Sequence, residues 1–300
     1  MDADLQDWCE RALGSSPEEV FFRADSMSAV SGVLLADRRR VAVKARTASD
    51  RVLACAEAHR RAIAAGIDAP ELLAGPDRLA PSTWVTAEAW RPEGTVQPPG
   101  DAIAAYAELG CRLVRALDGL EPSRFAPPPP WAWYDHDDPG RVWPPAASQR
   151  WDPESPVVPA RLRRVAAAAQ ERLLAATSPS VVGHCDLNGL NVRWAEGPIV
   201  HDWDSLAGRP ECVLAGILAA NHVELPGAGA IADVPRTRAL LERYQELRPF
   251  SPEEVEVAWA AGTWVAAYNA AFEYLHGTPG RVVVQLDRDG AERLRLAGCG

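Results

Sequence analysis

The residues best suited to chemistry begin with the chain's only lysine. Lys44 is the single lysine among 31 basic residues, and it closes the segment Val41–Lys44 with the sequence Val-Ala-Val-Lys. This pattern is typical of a strand lysine that contacts the phosphates of a nucleotide. A compact ammonium and a planar guanidinium are not interchangeable in such a position. On this motif alone, a phosphate-binding role and that of an ordinary surface lysine remain equally open, and the second half of the chain decides between them.

Two acidic motifs follow in the second half of the chain. His184, Asp186 and Asn191 form the pattern H-x-D-x-x-x-x-N, and Asp202 follows within Val-His-Asp-Trp-Asp. In phosphoryl transfer, the first aspartate of such a pattern accepts the proton of the acceptor hydroxyl, while the asparagine and the later aspartate hold metal. Asp186 is therefore the predicted catalytic residue. Asn191 and Asp202 are the predicted metal ligands, because amide and carboxylate oxygens suit Mg²⁺.

Two further residues of these motifs have other predicted roles. We expect His184 to brace the catalytic loop against the metal-binding strand rather than to act as a base. Asp204 has three open interpretations, since its carboxylate could reach the substrate, join the metal shell or cap the following turn.

Together these motifs resemble the aminoglycoside phosphotransferase family, the kinase-like small-molecule kinases of bacteria, over nearly the whole chain. The likeness is strongest at Val41–Lys44 and Gly183–Asp204. It implies an α+β, two-lobed protein-kinase-like fold, with a small β-rich N-lobe and a larger, mainly helical C-lobe. The family moves the γ-phosphate of ATP or GTP to a hydroxyl with magnesium. Two departures are Cys185, where the family usually has glycine, and the turn Ser26–Gly32, which has only one glycine.

The resemblance also implies a nucleotide site between the lobes. Ser28 lies in the phosphate-covering turn, where its hydroxyl can serve phosphate. Glu57 is the only acid inside the helix predicted over 50–65, and we expect it to pair with the strand lysine. The last N-lobe strand, predicted over 82–89, leads into the segment expected to border adenine. The predicted nucleotide-binding residues are thus Lys44, Glu57, Ser28, Glu88 and Trp90.

The elements that must position these residues follow from hydrophobic periodicity and cap signals. The sequence predicts strands that begin at 21–22 and cover 32–35 and 41–44, and helices over 1–20, 101–117, 161–175, 211–224, 234–247, 252–276 and 287–296. Asp50 is expected to cap the helix over 50–65. The length of 300 residues suits two lobes, predicted as a nucleotide-binding lobe over 1–91 and a catalytic, substrate-binding lobe over 92–300.

Composition narrows the class of protein and its partners. No signal peptide and no membrane-spanning run is predicted, and the six cysteines are scattered without ligand spacing. We therefore expect a cytoplasmic protein with reduced thiols. The net charge of −10 disfavours nucleic acid as a partner and favours a cationic small molecule. A monomer and a homodimer are equally open.

Function within this class is less narrowly defined. The leading hypothesis is transfer of phosphate from ATP or GTP to a small, cationic acceptor resembling an aminoglycoside antibiotic. The alternatives are a metabolic kinase for an amino alcohol or a sugar, and a non-catalytic nucleotide-binding regulatory protein. The segment 121–158 contains four prolines in succession and four tryptophans. It is expected either to coat the C-lobe or to face the substrate.

Overall fold

The N-lobe is built on an antiparallel sheet in the computed structural model, which describes residues 3–25, 28–145, 151–226, 229–277 and 280–299. The sheet has the spatial order β1-β2-β3-β5-β4, with β1 (Pro17–Asp25), β2 (Ala29–Leu35), β3 (Arg40–Thr47), β4 (Leu72–Ala80) and β5 (Thr83–Ala89). Strand β4 is not predicted, because Gly75-Pro76-Asp77 interrupts its hydrophobic pattern.

Two helices accompany this sheet, α1 (Ala3–Leu13) and α2 (Asp50–Ala64). The predicted helix over 1–20 is too long. Gly14 adopts a left-handed conformation with φ of 69°, and the chain is already extended at Pro17. The prediction that Asp50 caps α2 is also wrong, because Ser49 holds the cap position and makes no side-chain cap bond.

Alternation along β3 decides which side chains reach the space between the lobes. Val41 and Val43 are buried in the N-lobe core with Trp8 of α1 and Val33 of β2. Successive side chains of a strand point to opposite faces of the sheet. Lys44 therefore lies on the face opposite this core, where it lines a cavity between the lobes.

The C-lobe is mainly helical. Its helices are α3 (Ala102–Ala116), α4 (Ala160–Leu174), α5 (Glu211–Asn221), α6 (Val234–Leu247), α7 (Pro252–His276) and α8 (Arg281–Leu296). Helix α7 begins with a capping box between Ser251 and Glu254, which explains why its predicted start is correct. Helices α5 and α7 approach closely at Gly216, where an added Cβ would lie 2.0 Å from the carbonyl oxygen of Ala258.

Four short strands hold the two acidic motifs together. Strand β6 (Ser180–His184) pairs with β9 (Leu206–Pro210), and β7 (Val192–Trp194) pairs with β8 (Pro198–Val200). The loop 185–191 connects β6 to β7, and the turn 201–205 connects β8 to β9. The two pairings therefore bring the H-x-D-x-x-x-x-N loop beside the Asp-Trp-Asp turn, as the sequence spacing predicts.

The Pro/Trp-rich segment lies against the C-lobe over most of its described length. Phe125, Tyr134 and Trp143 are buried in the main core. The guanidinium of Arg209 donates to the carbonyl of Ala132 at 2.8 Å and covers the ring of Tyr134 at 4.7 Å. The described part of this segment is therefore a packed coat, although residues 146–150 lie outside the described residues.

Two further expectations have a bearing on the class of protein. None of the helices in the described ranges is long and apolar enough to cross a membrane. All six cysteines are free thiols, and five of them are buried.

Candidate active site

A cavity of about 460 Å³ lies between the sheet of the N-lobe and the acidic motifs of the C-lobe. This volume is in the range of small-molecule sites. Its lining includes the apolar residues Phe22, Val30, Ala42, Trp90 and Leu190 and the polar residues Ser28, Lys44, Glu88, Asn191 and Asp202. The sequence predictions for the nucleotide and the metal therefore meet at one place, with the exception of Glu57.

Lys44 lies in the lining of the cavity, where its ammonium contacts two carboxylates. Its Nζ lies 3.3 Å from Oε1 of Glu88 on β5 and 3.7 Å from Oδ1 of Asp202. The side chains of Lys44 and Glu88 are only 9% and 6% exposed. Burial alone would lower the pKa of Lys44, but the two carboxylates outweigh it and raise this pKa above its ordinary value. Lys44 is therefore a fixed positive charge.

The predicted pair between Lys44 and Glu57 is wrong. The carboxylate of Glu57 instead accepts from Arg124 at 2.7 Å, and both side chains are about half exposed, at 51% and 46%. The physical reason lies in α2, whose buried face of Ala54, Cys55 and Ala58 packs into the C-lobe core. Glu57 lies outside that face, so the carboxylate for the lysine comes from the neighbouring strand.

Two amides fix the carboxylate of Asp186 in the catalytic loop. Asn191 Nδ2 donates to Asp186 Oδ2 at 2.7 Å and to its carbonyl at 3.0 Å. Asn188 Nδ2 donates to Asp186 Oδ1 at 2.9 Å. Burial, followed by the charges of Glu224 and Asp202, raises the pKa of Asp186 well above its usual range. The carboxylate is thus a stronger base than an exposed aspartate.

Asn188 and Glu224 are site residues that sequence reasoning missed. Asn188 is fully buried, and its Oδ1 accepts from the backbone N–H of Leu190 at 2.9 Å. This bond requires the Nδ2 group to point the other way, where it joins Asp186 to Glu224 Oε2 at 3.2 Å. Burial and the charge of Glu273 raise the pKa of Glu224 to about 7. Asn188 occupies a variable position of the motif, and only its amide side chain could have indicated this role.

His184 connects the loop 185–191 to the turn 201–205. Its Nδ1 accepts from the backbone N–H of Asp186 at 3.2 Å, so Nε2 carries the proton and donates to the carbonyl of His201 at 3.1 Å. Burial lowers the pKa of His184, which keeps the ring neutral. This geometry is that of a brace and leaves neither ring nitrogen for proton transfer.

The turn at Asp202 has an unusual backbone. Asp202 adopts φ 55° and ψ 57°, a left-handed conformation that is uncommon outside glycine. Its Oδ2 accepts from the hydroxyl of Ser205 at 2.8 Å. Burial alone would raise the pKa of Asp202, but the Lys44 ammonium and the Ser205 bond lower it. The carboxylate is therefore ionised and aimed at the cavity.

Cys185, which departs from the resembled pattern, is accommodated inside the C-lobe. Its thiol and its backbone N–H both donate to the carbonyl of Ser205, at 3.0 Å and 2.9 Å. Its own carbonyl accepts from the indole N–H of Trp131 at 3.1 Å. Burial raises the pKa of this thiol beyond the physiological range. Cys185 therefore fastens the catalytic loop to the adjacent turn and to the Pro/Trp-rich segment.

Trp90 and Ser28, predicted beside adenine and phosphate, both line the cavity but make different contacts. The backbone N–H of Trp90 already donates to the carbonyl of Arg40 at 3.1 Å. Its ring packs edge-on against Phe21 at 5.0 Å and also contacts Phe22, so Trp90 contributes a wall of the cavity. Ser28 is nearly buried beside Lys44. Ser26 and Met27, in the same predicted turn, lie outside the described residues.

Asn191 and Asp202 fit a metal ion that arrives with a ligand. Within the described ranges, no cluster of three or more His, Cys, Asp or Glu side chains could hold a metal. Because Nδ2 of Asn191 is engaged by Asp186, its Oδ1 remains for a cation, beside the ionised Asp202. Mg²⁺ prefers one or two carboxylates together with waters and substrate phosphates. The donor set thus suits Mg²⁺ bound with a nucleotide.

Comparison with known proteins bears on the fold. No protein-family model matches the sequence, and no curated protein matches it. Solved structures do match along almost the whole chain. Amicoumacin kinase hAmiN, in complex with AMP-PNP, Ca²⁺ and its ligand Ami, has a TM-score of 0.65 at 13% identity, over 93% of this chain and 89% of that chain.

Two other solved structures match over similar lengths. A protein assigned as a fructosamine-3-kinase from Thermobifida fusca has a TM-score of 0.58 at 16% identity, over 98% and 100% of the two chains. A thermostable mutant of aminoglycoside phosphotransferase APH(4)-Ia, in ternary complex with AMP-PNP and hygromycin B, has a TM-score of 0.58 at 12% identity, over 100% and 99%.

The chain has the kinase-like fold. The neighbours that share it are, by name, kinases and phosphotransferases acting on small molecules. The fold class implied by the sequence resemblance, with a β-rich N-lobe and a helical C-lobe, is therefore confirmed. In this kinase-like fold, the cavity between the lobes lies beside the loop 185–191, of which Leu190 and Asn191 form part of its lining.

Proposed function

We propose that this protein transfers the γ-phosphate of ATP or GTP to a hydroxyl of a small, cationic molecule, with an aminoglycoside-like antibiotic as the favoured acceptor. The observation that carries this proposal is that the four groups predicted for phosphoryl transfer lie in contacting pairs at the cavity. Lys44 contacts Asp202 at 3.7 Å, Asn191 contacts Asp186 at 2.7 Å, and three of these residues line the cavity. A degenerate, regulatory kinase fold usually lacks one of these groups.

The apolar walls of the cavity suit a flat base. Phe22 and Leu190 are large hydrophobic residues that are each more than 40% exposed, and both line the cavity. Their exposure is explained if a purine ring lies against them, because burial of apolar surface is favourable. The phosphates would then extend towards the Lys44 ammonium, which is a compact donor for phosphate oxygens.

The polar groups divide the chemistry among them. Mg²⁺ held by Asn191 and Asp202 would neutralise charge on the phosphates. Asp186 accepts the proton of the acceptor hydroxyl while the oxygen of that hydroxyl forms its bond to the γ-phosphorus. The bond from that phosphorus to the bridging oxygen breaks, which releases the nucleoside diphosphate. The amides of Asn188 and Asn191 hold the Asp186 carboxylate in place during this step.

Charge supports a cationic acceptor. The chain has a net charge of −10, and the carboxyl group of Glu224 is joined to that of Asp186 through the amide of Asn188. A neighbour bound to hygromycin B is consistent with an amine-bearing antibiotic. The similarity to a protein assigned as a fructosamine-3-kinase favours an amino sugar as the second candidate, within the metabolic-kinase alternative.

The test is a nucleotide-consumption screen against cationic antibiotics, amino alcohols and sugars, run with the wild type and with Asp186→Asn. We expect one class of acceptor to stimulate consumption, and Asp186→Asn to lower that stimulated rate by about 10²–10⁴ while AMP-PNP binding is retained. Acceptor-stimulated turnover by Asp186→Asn at the wild-type rate would refute the role of Asp186. Stimulation by amino alcohols or by sugars, without stimulation by the antibiotics, would select the metabolic alternative.

A further inference from the structure

Two cations on β3 meet two acids on the turn after β8. Lys44 and Arg46 are separated by one residue, so their side chains lie on the same face of the sheet. Asp202 and Asp204 are likewise separated by one residue, Trp203. Lys44 lies 3.7 Å from Asp202, and Arg46 Nη2 lies 2.6 Å from Asp204 Oδ2. The lobes are thus joined here by two parallel ion pairs.

The second pair is the shorter of the two, and its acid is the more buried. The side chains of Arg46 and Asp204 are only 10% and 20% exposed. Arg46 Nη1 also donates to the hydroxyl of Thr86 on β5 at 3.0 Å, which fixes the guanidinium on the sheet. Charge-assisted hydrogen bonds of this length are about twice as strong as neutral ones. None of the three open interpretations of Asp204 therefore describes its contact in the structure.

Helix α2 holds the same turn from a second direction. Arg51 Nη2 donates to the carbonyl of Asp204 at 2.6 Å. The ring of His59 stacks on Trp203, with centroids 4.7 Å apart and planes inclined by 9°. Burial, together with the charge of Lys44, lowers the pKa of His59 to about 3, so this ring is neutral. The turn is therefore attached to both the sheet and the helix of the N-lobe.

The two ion pairs differ in their relation to the cavity. Lys44 and Asp202 both line it, so a bound nucleotide with its metal would compete for their mutual contact. Arg46 and Asp204 do not line the cavity, and their contact needs no exchange. The second pair can therefore hold the distance between β3 and the turn while the first pair changes partners.

We propose that Arg46 and Asp204 are positioning residues, whose ion pair keeps the carboxylate of Asp202 where a metal bound to the nucleotide phosphates requires it. This inference rests on the proposed function, because it assigns the turn a task in binding metal with nucleotide. It predicts that loss of the pair weakens the contribution of Mg²⁺ to nucleotide affinity. A purely structural pair would instead lower stability and leave that contribution unchanged.

The experiment measures the affinity for AMP-PNP by calorimetry, with and without Mg²⁺, for wild type, Arg46→Gln, Asp204→Asn and the double variant. In the wild type, Mg²⁺ should tighten binding strongly. Each single variant should lose at least tenfold of this tightening, and the double variant should lose no more than either single variant. Arg46→Lys, which keeps the charge, should retain an intermediate value. Thermal unfolding confirms that each variant is folded.

The matched control is the ion pair of Arg124 and Glu57. It joins α2 to the C-lobe at 2.7 Å, but it lies on the surface and outside the cavity lining. Arg124→Gln and Glu57→Gln should change the effect of Mg²⁺ by less than about twofold. Wild-type behaviour of Asp204→Asn or of Arg46→Gln, or additive losses in the double variant, would overturn the inference. Failure of wild type to bind either AMP-PNP or the corresponding GTP analogue with Mg²⁺ would instead overturn the proposed function.

Discussion

Replacing Glu88 by glutamine should destabilise the protein substantially, because Glu88 is the principal partner of a buried ammonium. With an effective dielectric constant of about 20, Coulomb's law gives an attraction of about 5 kcal/mol at 3.3 Å for Glu88 and about 4.5 kcal/mol at 3.7 Å for Asp202. Removal of one member of a buried pair costs about 3–5 kcal/mol. Because Asp202 remains, we expect Glu88→Gln to cost about 2–3 kcal/mol.

The matched variant is Glu57→Gln, which removes the carboxylate that the sequence assigned to Lys44. Glu57 is about half exposed in its pair with Arg124, so its loss should lie within the error of the measurement. Urea unfolding, followed by the fluorescence of the 11 tryptophans, measures the loss in the free energy of unfolding for both variants. The urea midpoints Cm are compared with one shared slope m. Equal costs for the two variants, or no cost for Glu88→Gln, would refute the assignment of Glu88 as partner.

Three further predictions concern the cavity and its surroundings. Asp202→Asn should weaken Mg²⁺-dependent AMP-PNP binding more than Asn191→Ala, since only Asp202 offers a negative charge to the Mg²⁺ ion; equal losses by calorimetry would contradict this ranking. Lys44 is the only side-chain target for an amine reagent, so AMP-PNP with Mg²⁺ should protect it from labelling as read by mass spectrometry, and an unchanged rate would place Lys44 outside the phosphate site. The pKa of Glu224 is raised to about 7, so the folded state holds this proton more tightly than the unfolded chain; relative to Glu224→Gln, the wild type should lose about 3 kcal/mol of stability between pH 4.5 and pH 8, and parallel urea-unfolding profiles would contradict the raised pKa.

Local signals made much of the molecule predictable from sequence. The helices over 234–247 and 252–276 have the predicted bounds, and the side chains of Asp233 and Ser251 cap their N-termini. The catalytic loop and the metal-binding turn are also local, since short hairpin pairings bring them together. Lys44 and Asp202 are far apart in sequence, and their meeting was predictable only from the resemblance to a known fold.

Non-local contacts account for what the sequence did not predict. Glu57 and Glu88 are both acids near the expected site, and the choice between them depends on which face of α2 packs into the C-lobe and on the adjacency of β3 and β5. Asp204 likewise has no local signal for its pairing with Arg46, 158 residues away in sequence. Such contacts depend on how whole elements pack, which spacing along the chain does not encode.

The origin of the lysine's partner has a consequence for regulation. In protein kinases, the helix that carries the glutamate can be displaced, and its position is one of the means by which activity is controlled. Here Lys44 and Glu88 lie on hydrogen-bonded neighbouring strands, so movement of α2 cannot separate them. The pair exists as soon as the sheet has formed. Under the proposed function, the rate of phosphate transfer would depend on the amounts of protein and nucleotide present. An inhibitor that stabilises a displaced α2 would not separate Lys44 from Glu88.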